Sequence, residues 1–375
     1  PMVIHYLTGS RAAFGLILPC LAALDAAEDF TCRIVATAQH LAPGYGGTIA
    51  DIERTGLTIA ARVPVALSGE GGSEMALAMA DELAALTRFW AGDRPDAVML
   101  LGDRGEMLAG ALAAMHLSIP IIHVGGGERS GTLDESFRHA ITKLAHVHLC
   151  STQLAQERIV RMGEDADMVR AIGAPGLVGI AGLASGEFDF AARYGFDTAR
   201  RTALVIYHPV VQQSSEAARQ AQAVIETVRA AGLNQLVLRP NSDAGGKAID
   251  RILDQYEDAA DIAVVDHLAR PDYLAAIRCS DVLVGNSSSG IIESASLGTA
   301  CLNIGARQNG RERNANTVDC AETSPDALAA ALDRALALEV SGANIYGDGD
   351  ADRKLVEALR ATRFTPAMLD KLNSY

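Results

Sequence analysis

The densest concentration of reactive side chains lies between positions 102 and 139. Gly102-Asp103-Arg104-Gly105-Glu106 closes one apolar run, and His123-Val-Gly-Gly-Gly-Glu128 closes the next, leading into Asp134-Glu135-Ser-Phe-Arg138-His139. Five carboxylates (Asp103, Glu106, Glu128, Asp134, Glu135) and two histidines (His123, His139) thus gather near the ends of adjacent strands. Neighbouring carboxylates push one another's pKa values apart, so one can give a proton where another takes one, as general acid/base work requires. Asp134 or Glu135 alone would equally suit the first turn of a helix. Helix decoration explains less well an acid at one strand end together with a glycine-rich loop after the next.

A second group suits an anion. Gly285-Asn-Ser287-Ser288-Ser289-Gly290-Ile-Ile-Glu293 follows a buried run and opens a helix. Backbone N–H groups and hydroxyls at such a turn make a phosphate site. Serine and asparagine are also ordinary helix caps, but three serines between two glycines exceed what one cap needs. Glu293, one turn on, either accepts from ribose hydroxyls or simply complements the helix start. Arg11, in Thr8-Gly-Ser-Arg11, is a fork of donors for phosphate or a solvent-facing side chain. His208 sits before Pro209 at another strand end. Arg307, Arg311 and Arg313 share one loop, flanking an anion or forming a solvated face. Asp348–Asp352 lacks the sixth-place glycine and twelfth-place acid of an EF-hand, and no zinc spacing, P-loop or GxGxxG occurs, so no metal or cofactor is expected.

Alternating short apolar runs and helical patterns position these groups. Expected strands are 2–7, 32–38, 97–102, 120–125, 147–151 and 169–173, then 203–208, 236–239, 262–266, 282–285 and 300–304. Helical stretches include 73–90, 107–115, 135–144, 215–231, 271–279 and 324–338, with a C-terminal helix over 350–372 broken at Pro366. Runs buried on both faces and joined by helices indicate doubly wound parallel sheets. There are two such series, so two α/β domains are expected, with ligand at strand carboxyl ends in the cleft between them.

The 375 residues are 49% hydrophobic and 21% charged, enough to bury sizeable cores. A net charge of −14 argues against a nucleic-acid or anionic-membrane partner, which needs a basic face. The apolar stretch 14–27 mimics a signal peptide, but it follows a strand and a glycine turn and reads as the first helix of an α/β domain. The six cysteines show no CxxC and lie in or beside apolar runs, as buried thiols of a cytoplasmic protein do.

In order along the chain, TGSRAAFG (8–15), GDRGE (102–106), HVGGGERSGTLDESFRHAITKLAHVH (123–148), YHP (207–209), RPNSDAGG (239–246), GNSSSGIIES (285–294) and NIGARQNGRER (303–313) resemble the UDP-N-acetylglucosamine 2-epimerase family. They resemble in particular its hydrolysing branch, which makes N-acetylmannosamine or a related sugar for sialic-acid-type nonulosonates. The resemblance implies an α/β, GT-B-like fold with two Rossmann-like doubly wound domains and a C-terminal helix crossing back to the first. The expected spans are 1–175, 176–355 and 356–375. It implies a UDP-sugar substrate and UDP product, no cofactor, and a homo-oligomer (dimer or tetramer).

By the same resemblance, Ser288, Ser289 and Gly290 hold the diphosphate and Glu293 the ribose, with Arg11 and His208 near the phosphates. Ser287, Asn241, Arg307 and Arg313 complete the expected UDP site. Asp103 and Asp134, with Glu128, Glu135 and His208, are the expected catalytic groups, and His123, Arg138, His139 and Asp103 face the sugar. Two positions depart from the family pattern. HVGGGE stands where HIEGGE is usual, which puts Gly125 at a glutamate position, and Ala13 replaces an acid. Another acid, Glu128 or Glu106, then substitutes, or one step is impaired, or the substrate differs. The alternatives are a non-hydrolysing epimerase, a GT-B glycosyltransferase, and a nucleotide-sugar-binding protein without turnover.

Overall fold

The computed structural model describes residues 1–42, 48–66, 72–129, 133–240 and 245–375. The chain divides into two compact units: residues 1–178 with 346–375, and residues 179–345. The second junction precedes the last helix, Ala351–Ala361, so all of that helix belongs to the first unit and packs on helix Arg11–Asp25. Ala174 N donates to Tyr346 O at 2.6 Å where the chain returns.

The first unit carries a seven-stranded sheet of β1 (Met2–Thr8), β2 (Phe30–Thr37), β3 (Thr58–Val63), β4 (Ala97–Leu101), β5 (Ile121–Val124), β6 (Val147–Cys150) and β7 (Val169–Ala171). The order is β3-β2-β1-β4-β5-β6-β7, and every pair is parallel. Both faces are covered, which is why β4 reads as an unbroken apolar run, Ala-Val-Met-Leu-Leu. Helices Arg11–Asp25 and Ala351–Ala361 pack one face through Phe14, Ile17, Leu21, Leu355 and Leu359. Helices Gly72–Gly92, Gly105–His116 and Leu133–Leu144 pack the other through Leu86, Trp90, Met107, Ala111 and Ile141. The stretch resembling a signal peptide is thus a core helix.

The second unit repeats the plan with six strands: β8 (Thr202–Ile206), β9 (Asn234–Leu238), β10 (Ile262–Val265), β11 (Val282–Gly285), β12 (Ala300–Ile304) and β13 (Thr317–Cys320), in the order β10-β9-β8-β11-β12-β13. Strand order reverses between β1 and β4 in the first unit and between β8 and β11 in the second. Ligands of doubly wound sheets bind at these reversals, beyond the carboxyl ends of the strands. The architecture is the expected α/β one.

Three expectations need correction. Strands β3 and β13 lay outside the expected set; both are edge strands whose exposed face interrupts the apolar signal. The last helix stops at Ala361, well before Pro366, because the residues leading to a proline disfavour helix and Phe364 turns into the core. A separate 3₁₀ turn, Pro366–Leu369, follows it.

Candidate active site

In the first unit, the reversal brings the turn after β1 against the turn after β4. The approach is close at Gly9: a Cβ there would lie 2.6 Å from Glu106 Oε1, and the Glu106 side chain would have to shift. Arg104 Nε donates to Glu106 at 2.8 Å. Beside them, the Asp103 carboxylate accepts from Nη2 of Arg138, a side chain on helix Leu133–Leu144 that is only 5% exposed. Arg138 Nε and Nη1 are buried with no partner among the described residues. Asp134, on the first turn of the same helix, has its pKa raised, first by burial and then by the neighbouring charge of Asp103, with Arg104 and Arg138 opposing and Glu106 adding to the rise. A carboxyl whose proton affinity is raised in this way is suited to proton exchange.

His123 is fully buried, and its pKa is driven down to about 3, chiefly by desolvation. Nε2 lies 2.8 Å from Gly102 O; the carbonyl only accepts, so Nε2 carries the proton, and Nδ1 lies 3.2 Å from the Thr142 hydroxyl. The ring therefore spends both nitrogens tying the loop that bears Asp103 to the helix that bears Asp134 and Arg138. His139 contacts Glu135 one helical turn away at 3.3 Å. Glu128 is half-buried in the loop after β5. Gly125 closes β5 with φ +83°, a backbone that favours glycine, and its N–H donates to Leu149 O.

In the second unit, the reversal is pinned by Asn286, which is 1% exposed. Its Oδ1 accepts from His208 N at 2.7 Å and its Nδ2 donates to His208 O at 2.8 Å, locking the end of β8 to the end of β11. Gly285 has no substitute: a Cβ would fall 1.9 Å from Ile206 O. Asn286 O accepts from Arg307 Nη1 at 3.2 Å and from Gln308 Nε2 at 3.0 Å. Ser287 caps the turn Ser288–Ile292 by accepting from Ser289 N at 3.3 Å, and the Tyr273 hydroxyl faces Ser287 and Ser289. Gly290 meets the sheet; a Cβ would lie 2.5 Å from Cys301 Sγ. Glu293, 6% exposed, is ion-paired through Oε1 with Arg270, while Oε2 is buried with no partner among the described residues. A buried acceptor of this kind is costly until donors reach it.

The sequence pattern described as UDP-N-acetylglucosamine 2-epimerase matches residues 22–360. The chain is 42% identical over 374 residues, 99% of each chain, to a Legionella pneumophila protein named UDP-N,N'-diacetylbacillosamine 2-epimerase (hydrolyzing). It is 32% identical over 320 residues, 84% of this chain and 82% of the other, to the Escherichia coli polysialic acid biosynthesis protein P7. The chain belongs to the UDP-N-acetylglucosamine 2-epimerase family, in its hydrolysing branch. A solved Neisseria meningitidis member, titled as bound to UDP-GlcNAc, superposes with TM-score 0.79 over 96% of this chain and all of that one at 15% identity, so the two share the GT-B-like fold.

Several expected site residues of this epimerase-family chain are engaged within their own unit. Arg11, 72% exposed, pairs with Asp51 at 3.0 Å. Arg313 spends its guanidinium on Asp319 and on the carbonyls of Gln308 and Arg311, holding its own loop. Asn241 lies outside the described residues. Sequence reasoning missed Asn286, Tyr273 and Arg270, and in the first unit His40 and Glu82. His40 is buried, bonded to Thr8 and Thr48, and kept below its ordinary pKa mainly by desolvation. All six cysteines are thiols, and burial pushes Cys20, Cys32 and Cys301 up to about 12, which leaves them unreactive. Among the described residues no helix is long and apolar enough to cross a membrane, and no cluster could hold a metal ion.

Proposed function

We propose that the chain is a hydrolysing UDP-sugar 2-epimerase whose substrate carries acetamido groups at both C2 and C4. The end-to-end identity with the Legionella protein of that name carries the reading. The carboxylates of the first unit support it, because removal of the C2 proton needs a base.

In the first stage a base takes the C2 proton, the C1–O bond breaks with its electron pair leaving on UDP, and a 2-acetamidoglycal remains. In the second, water gives hydroxyl to C1 and a proton to the opposite face of C2. Asp134, with its raised pKa, exchanges protons with the sugar. Asp103 orients Arg138, whose two unspent donors suit an acetamido carbonyl. Glu135, Glu128, His139 and His123 support this side. On the nucleotide side, Glu293 Oε2 accepts from ribose, and the turn with Ser287, Ser288, Ser289 and Gly290 stabilises the departing diphosphate. His208, Arg307, Arg313, Arg11 and Asn241 serve the phosphates. The active species is a cytoplasmic homo-oligomer.

The test is incubation with a UDP-linked 2,4-diacetamido sugar and, separately, with UDP-N-acetylglucosamine, followed by NMR. The expected outcome is free UDP and a C2-inverted free sugar, formed faster from the diacetamido substrate. Products that keep UDP would identify a non-hydrolysing epimerase. Tight UDP binding without turnover of either would identify a binding protein.

A further inference from the structure

The turn Ser288–Ile292, which leads directly into Glu293, is five residues long. A helix this short cannot hold itself, because the first four N–H groups and the last four carbonyls of any helix lack partners inside it. What fixes it comes from outside. Ser289 O accepts from Glu293 N at 2.9 Å and from Ser294 N at 3.0 Å. The next three carbonyls are each met by a side chain. Gly290 O accepts from the Ser294 hydroxyl at 2.7 Å, Ile291 O from Asn314 Nδ2 at 3.1 Å, and Ile292 O from Asn344 Nδ2 at 2.6 Å. The two asparagines are distant in sequence: Asn314 leads into β13, and Asn344 stands just before the chain returns to the first unit.

The two amides lock one another. Asn314 Oδ1 accepts from Ile345 N at 2.8 Å; a backbone N–H only donates, so the other end of that amide is the donor. Asn314 Nδ2 gives its second proton to Asn344 Oδ1 at 2.9 Å. Asn344 Nδ2 gives its second proton to the Ser296 hydroxyl at 2.8 Å. Both amides thus donate twice and accept once, and a network satisfied in this way specifies a single arrangement. Asn314 is buried, and the fully buried Ser294 is itself held by Asn316 Nδ2 at 2.7 Å.

We infer that Asn314 and Asn344 are positioning residues for nucleotide binding, acting through Glu293. The peptide whose carbonyl Asn344 holds is the peptide whose N–H belongs to Glu293 and is tied to Ser289 O, so both sides of it are fixed. Arg270 engages Glu293 Oε1 from the side chain's other flank, which leaves the buried Oε2 set in place before a ribose reaches it. Without either amide a carbonyl of the turn loses its donor, the turn loosens, and UDP has to order it on binding, at a cost in affinity. Proton transfer in the first unit is untouched. The inference rests on the reading of the second unit as the nucleotide side.

The experiment measures UDP binding by calorimetry and single-turnover UDP release for wild type, N314L, N344L and N344A. Leucine fills the space of asparagine and donates nothing; alanine leaves that space open. Each variant is expected to weaken UDP binding roughly 10–100-fold. The single-turnover rate at saturating substrate stays within about threefold of wild type. The decisive readout is the cycle with E293Q. Because Asn344 acts through Glu293, the losses of N344L and E293Q do not multiply, and the double variant binds UDP as the weaker single variant does. Losses that multiply overturn the inference, and so does a lowered melting temperature with UDP affinity unchanged; either makes Asn344 a residue of the fold alone. Failure of all three variants to fold overturns it for the same reason. Folded wild type that binds no UDP overturns the nucleotide reading of the second unit, and the inference with it.

Discussion

The two units share one architecture and use it oppositely at the strand reversal. In the first, the turns after β1 and β4 and the start of helix Leu133–Leu144 collect titratable groups. Desolvation and like charge raise Asp134 and Glu82, while burial lowers His40 and His123. In the second, the turns after β8 and β11 are held by fixed hydrogen bonds from Asn286, Gln308 and Arg307, with one buried carboxylate, Glu293, on Arg270. A site that must move protons needs groups of shifted, divergent proton affinity; a site that grips a constant anion and a ribose needs fixed donors and acceptors. The duplicated sheet supplies the same crevice twice, and side-chain chemistry divides the labour between them.

The largest expected effect tests that division directly. Asp134→Asn keeps the shape and removes the exchangeable proton, so kcat for UDP release falls roughly 10²–10⁴-fold. UDP affinity measured by calorimetry stays at the wild-type value, because no partner of the nucleotide has changed. A loss of less than tenfold would show that proton work does not centre on the first unit. Glu293→Gln is the converse. It replaces a charged acceptor by a neutral one, at about 1.5–3 kcal/mol for a hydrogen bond to a charged group. UDP binding then weakens roughly 10–100-fold, while single-turnover chemistry at saturating substrate changes far less. A collapse of that single-turnover rate with unchanged UDP affinity would invert the comparison.

How much of this was legible follows from which interactions are local. Both buried sheets and the long helices declare themselves in short apolar runs, because strands covered on both faces carry no competing polar signal. Edge strands β3 and β13 do not, since half of each faces away from the core. The Asp103 and Asp134 neighbourhood was readable because it clusters within one stretch of sequence. Glu82 lies in a different helix, and a carboxyl buried inside the otherwise apolar stripe 79-82-86-90 was a visible anomaly. His123 was expected to face the sugar, and only the register of β5 shows both its nitrogens turned inward. Asn286 stood inside a quoted motif, yet nothing in one dimension shows that it bridges two strand ends.

The smallest expected effect concerns Gly125, where the family pattern places a glutamate. Space is not the obstacle: a Cβ would find its nearest neighbour, Leu101 Cδ1, at an ordinary 3.7 Å. The backbone is, because φ is +83° and a non-glycine residue in the left-handed region costs roughly 1–2 kcal/mol. Gly125→Glu therefore folds with a melting temperature lowered by only a few degrees. Its kinetic effect is confined to the stage that handles water. NMR of the wild-type reaction is expected to show glycal accumulating ahead of free sugar, and Gly125→Glu to reduce that accumulation while leaving UDP release nearly constant. An unchanged ratio would mean that Glu128 or Glu106 already provides the missing carboxylate. The proton chemistry of the first unit would then be complete without position 125, and the contrast with the second unit would be sharper still.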